Sequence, residues 1–147
     1  MNAQLTHEEI DSARELLQEY QPANKAIDAI ERHNGNLETS FEELWIEKNG
    51  TSTIQEKKSL WQITLEVLRE EICSDEGFRA RLGEYTKSPE NAVLLTTVIT
   101  SLIALTAIPI DPSIATIIIL YILKIGLNVY CKYTDPDNQG VNLAPAT

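Results

Sequence analysis

The spacing of apolar residues changes character along the chain. From Thr6 to Asn49 they recur at helical intervals between polar neighbours. Ile10, Ala13, Leu16 and Leu17 make one such face, opened by Thr6 and Glu9 at capping-box spacing and expected to stop near Gln21-Pro22. Ala26, Ile27 and Ile30 make a second, over about 23–33. It ends at Asn34-Gly35, because glycine enters the left-handed cap conformation without strain. Leu37, Phe41, Leu44 and Trp45 make a third, capped by Asn36 and closed at Asn49-Gly50. The short polar run Gly50-Thr51-Ser52 is the expected domain boundary.

Beyond it, Thr53 and Glu56 repeat the capping-box spacing, and a helix is expected over about 54–72. Its broad inward stripe is Leu60, Trp61, Thr64, Leu65, Val67, Leu68 and Ile72. Ser74 is expected to cap a further helix through Tyr85, with Phe78, Leu82 and Tyr85 on one side. The pattern then turns almost wholly apolar, and Ala92 to Ile110 is a run of 19 residues without a charge. Ser88-Pro89 reads as its opening, proline being suited to the first helical position. Asp111-Pro112 opens a second apolar run that only Lys124 interrupts before Lys132. The reading is therefore all-α: a three-helix module over 1–50, then a four-helix region over 51–133. That region ends in an antiparallel apolar hairpin of about 89–108 and 112–131. Residues 134–147, polar and bearing Pro and Gly, are expected to be a disordered tail.

The stretch Asn24 to Trp45, NKAIDAIERHNGNLETSFEELW, resembles the second and third helices of the ubiquitin-associated (UBA) fold. The resemblance lies in Ala26, Ile30, the Asn34-Gly35-Asn36 turn, Leu37, Glu38, Phe41 and Leu44. It implies a three-helix bundle over roughly residues 5–48. It also implies contact with a protein partner through the loop after the first helix and the end of the third. Those places hold Tyr20 and Gln21, and Leu44 and Trp45. Glu19-Tyr20-Gln21-Pro22 stands where the family carries a Met-Gly-Phe loop.

Charge narrows the partners. Twelve Lys and Arg against 22 Asp and Glu leave a net charge of −10, which excludes nucleic acid as an expected partner because cations supply most of that affinity. Two cysteines make no disulfide framework. Cys73 and Cys131 read as free thiols of a reducing compartment, a bridge between them being the alternative. The opening MNAQLTHEEI lacks the basic and apolar runs of a secretory signal. His7 and His33 lie on separate helices without zinc-ligand spacing, and the six glycines form no phosphate-binding loop. Adjacent acidic pairs such as Glu8-Glu9, Glu42-Glu43 and Glu70-Glu71 point apart on a helix and read as solvated faces. No catalytic, cofactor-binding or metal-binding residue is expected.

The hairpin decides the expected class. A stretch of about 18 or more uncharged apolar residues is long enough to cross the hydrocarbon core as a helix, which makes the hairpin a candidate membrane-spanning pair. Arg79, Arg81, Lys87 and Lys132 flank the pair, while the turn carries only Asp111. The leading expectation is a non-enzymatic adaptor with a cytoplasmic N-terminal head, attached to the lipid bilayer through residues 92–131. The alternative is a cytoplasmic homo-oligomer with the hairpin as its core. Both rest on one estimate: two amphipathic helices from residues 54–85 have too little surface to cover two apolar ones.

Overall fold

A computed structural model of the protein describes residues 4–50 and 59–133. The Thr51-Ser52 linker, the Thr53–Glu56 capping box and the 134–147 tail lie outside the described residues. Among the described residues the protein is all-helical: α1 (His7–Leu16), α2 (Gln21–Arg32), α3 (Leu37–Asn49), α4 (Leu60–Cys73), α5 (Glu76–Lys87), α6 (Ala92–Leu105), α7 (Pro112–Ile125) and α8 (Leu127–Tyr133).

Side-chain caps set most of the helix starts. Thr6 and Glu9 form the reciprocal capping box on α1, Asn36 caps α3, and Asp111 caps α7 with Pro112 in its first turn. Several expected boundaries move, among them the start of α4, which Ser59 caps at Leu60. α1 ends at Leu16, and Pro22 falls in the first turn of α2, where its missing N–H leaves no bond unmade. α5 is capped by Asp75, whose Oδ2 accepts from the Phe78 N–H at 2.7 Å. The Ser74 hydroxyl instead donates back to the Glu70 carbonyl at 2.5 Å. α6 is capped by Asn91 rather than Ser88: the Asn91 Oδ1 accepts from the Leu94 N–H at 3.0 Å, and the Pro89 carbonyl ahead of it accepts from the Tyr85 hydroxyl at 2.9 Å. The last apolar run is broken at Gly126 (φ +93°), a conformation nearly closed to other residues.

α7 is the centre of the molecule. Every residue from Ser113 to Ile122 is buried. Thr116 is wholly enclosed, its hydroxyl donating to the Pro112 carbonyl at 2.8 Å. α2 and α3 pack on one side of α7, and α6 and α8 on others. The cover that the helices of residues 54–85 do not supply comes from α2 and α3 of the same chain. An aromatic series links the two parts: Phe41 to Trp61 at 5.2 Å between ring centroids, Trp61 to Tyr121 at 5.0 Å, Tyr121 to Tyr130 at 6.4 Å. Among the described residues no helix is long and apolar enough to cross a membrane. α6 and α7 have 14 residues each, about 21 Å of helix against a hydrocarbon core of about 30 Å.

Polar and covalent ties hold the periphery. Glu71 accepts from the Thr106 hydroxyl at 2.6 Å and the Ala107 N–H at 3.2 Å, joining α4 to the turn after α6. The buried Tyr130 hydroxyl donates to the Leu65 carbonyl at 2.7 Å. Cys73 and Cys131 are bridged, with Cα atoms 5.9 Å apart, which corrects the expectation of free thiols. Neither helical pattern reveals that the end of α4 lies beside α8; only the wrap around α7 brings them together. Val67, placed on the inward stripe by its spacing, is 49% exposed.

Two outcomes follow for stability. Thiol titration of the oxidised, denatured protein should detect no free thiol. Cys73→Ser should lower the unfolding free energy by about 2–4 kcal/mol in urea, because the bridge spans 58 residues of chain. Gly35 lies at φ +91°, and a Cβ there would stand 2.1 Å from the Leu5 carbonyl oxygen. Gly35→Ala should therefore lower the urea midpoint, with a loss of at least about 1–3 kcal/mol.

Candidate functional site

α1 packs on α2 and stands away from the turn between α5 and α6, leaving a cleft in two lobes. The inner lobe, about 310 Å³, is lined by Leu5, Ala13, Leu16, Leu95, Leu120 and Leu123, with Tyr85 and Pro89 at one end. The outer lobe is larger, about 1030 Å³. One wall carries Ser12, Glu15, Leu16, Gln18, Glu19 and Tyr20; the other carries Pro89, Glu90, Ala92, Val93, Thr96 and Thr97. Ser12, Leu16 and Pro89 belong to both lobes, so the cleft is continuous.

Local structure explains the lining. Leu16 and Leu17 are neighbours at the end of α1 and point in different directions. Leu17 enters the core at 1% exposure, while Leu16 is only half-buried and faces the cleft. In α6 the inward positions are taken by Leu95, Val98, Ile99 and Leu102, which leaves Val93 outside at 72% exposure. The Thr97 hydroxyl is turned onto the Val93 carbonyl at 2.8 Å, so that wall is less polar than its sequence suggests. Tyr20 is half-buried, with burial raising its hydroxyl above the usual phenol range. A half-buried aromatic ring at the edge of a cleft suits an interface.

The lips are acidic. Glu8, Glu9, Glu15, Glu19 and Glu90 line the two lobes, and Lys124 is the only Lys or Arg among the lining residues. Lys124 Nζ lies 2.8 and 3.0 Å from the two carboxylate oxygens of Glu9, across 115 residues of chain. That hydrogen bond, with the Thr6 backbone N–H as second donor, holds the Glu9 carboxyl below its usual range. Glu8, Glu15, Glu19 and Glu90 are held by no ion pair among the described residues. The lining includes neither His nor Cys, and its free carboxylates face water without a positioned proton partner. This arrangement suits binding by shape and charge.

The four residues expected to contact a partner are not brought together. Tyr20 lines the cleft. Gln21 is exposed in the first turn of α2 and is not part of the lining. Leu44 is buried at 2% exposure and belongs to the core. Trp45 is half-buried, its ring 5.8 Å from that of Phe41. The residues missed are Leu16, Pro89 and Val93. Their signal was weak: an apolar pair at the end of α1, and an apolar residue in the first turn of α6 beside threonines.

No protein-family model matches the chain, and neither the curated proteins nor the solved structures contain a significant match.

The Glu9 carboxyl is depressed, so its stabilisation is complete above the unfolded value of about 4.3 and is lost as pH falls through its lower folded value. Glu43, in hydrogen bonds with His33 and Arg32, is depressed too and acts in the same direction. The urea midpoint should therefore fall between about pH 5 and pH 3. Lys124→Gln should shrink that fall and cost no more than about 1 kcal/mol at pH 7, since both partners are partly exposed. An unchanged pH profile in this variant would show that the pair is not formed in solution.

Proposed function

We propose that the protein is a non-enzymatic interaction module that captures a segment of a partner protein in the cleft between α1 and the α5–α6 turn. One observation carries the reading: an apolar strip, from half-buried Leu16 to exposed Val93, lies between carboxylates that no cation among the described residues neutralises. Open apolar surface rimmed by polar groups is a feature of binding sites. The combined lobes exceed what a small ligand needs and suit an extended segment. Tyr20 supplies the aromatic anchor, and its place after α1 agrees with the contact role implied by the UBA-like pattern. The binding surface proposed here excludes Leu44, since a buried leucine has no area to offer.

A photo-crosslinking residue at Val93 in the full chain tests this in its native cells, with the same group at the exposed Arg81 as control. A discrete adduct from position 93, absent from position 81, is expected. Tyr20→Ala should reduce that adduct at least fivefold while leaving the helical circular-dichroism signal unchanged. Identical products from the two positions, or an adduct indifferent to Tyr20→Ala, would refute the cleft as the docking surface.

A further inference from the structure

The cleft has a chemical bias that narrows its occupant, and the argument rests on the docking role proposed above. Its apolar floor runs between two acidic lips, Glu8, Glu15 and Glu19 on the side of α1 and Glu90 on the other. The one cation at the site is already engaged by Glu9. A partner that fills the floor must desolvate apolar groups and bring positive charge to both edges. A helix with an apolar stripe flanked by Lys or Arg does both, and insertion of such a stripe into a groove is a recurrent mode of recognition. A second copy of this chain is disfavoured, since each copy carries a net charge of −10. We propose that the cleft between α1 and the α5–α6 turn takes a cationic amphipathic helix of a partner protein.

Three synthetic 14-residue peptides test the proposal against the full chain by isothermal titration. The first is a Leu/Lys amphipathic helix, the second its Leu/Glu counterpart, and the third a Leu/Lys peptide of the same composition with its order shuffled to destroy the stripe. The first should bind at least tenfold tighter than either of the others, and more weakly as sodium chloride is raised from 0.15 to 0.5 M. The triple variant E15Q/E19Q/E90Q should weaken it at least tenfold, and Val93→Lys should do the same by placing a cation on the floor. E38Q/E42Q/E70Q, which removes equal charge outside the cleft, should leave it within twofold. Equal binding of the ordered and shuffled Leu/Lys peptides overturns the proposal, since charge alone would then suffice. Equal binding of the Leu/Glu peptide overturns the cationic choice while leaving the docking cleft standing. If no peptide binds but the crosslink from position 93 persists, the occupant is misassigned and the cleft is not; if both are absent, both readings fall.

Discussion

The fold depends on covering α7 from every side. Its isoleucines at 114, 117, 118, 119 and 122 are all at 0% exposure, with no polar face between them. Burying a large aliphatic side chain is worth roughly 1.5–3 kcal/mol, so leaving this helix in water would forfeit on the order of 10 kcal/mol. That is comparable with the whole stability of a domain, about 5–15 kcal/mol. Helices α2 and α3 on one side, with α6 and α8 on others, meet the demand inside one chain. Residues 4–50 and 59–133 therefore share one core, and the aromatic series from Phe41 to Tyr130 runs through it.

With α7 enclosed, the remaining elements settle around it and are tied at their ends. The bridge from Cys73 to Cys131 fastens α4 to α8, Glu71 fastens α4 to the turn before α7, and Lys124 fastens the end of α7 to α1. α1 buries only Ile10 and Ala13 along its length. It is held to α2 by Arg14, which pairs with Asp28 at 3.0 Å and Glu31 at 2.9 Å, and to the α2–α3 turn through the Leu5 N–H on the Gly35 carbonyl. Its free side faces α5 and α6 across the cleft. The candidate site is thus the place where packing around α7 stops short, bounded by helices that other contacts hold in position.

The proposed chemistry follows from that incomplete closure. An apolar floor alone would bind without discrimination. Carboxylates on both edges add a preference of sign, acting over about 8 Å at physiological salt. No comparison with known proteins names the partner, so the site's own composition carries the assignment.

Much of the local structure was legible in the sequence because it depends on neighbouring residues. The Thr6–Glu9 box, the Asn36 cap, the Asn34-Gly35 turn and the Asp111-Pro112 start each depend on groups within a few positions of one another. The misplaced boundaries, at Ser74 and Ser88, arose where a second capping residue one to three positions further on, Asp75 and Asn91, took the role. The site was largely illegible: the resemblance to a UBA module implied Leu44 and Trp45 as a contact surface, yet both pack into or against the core, where their helical spacing had put them. By itself the chain's order of residues determined that it is helical, acidic and overloaded with apolar area toward its end. Tertiary structure decided what covers that area, which cysteines meet and where a cleft is left, because each depends on residues from α1 to α8 that only three-dimensional packing makes neighbours.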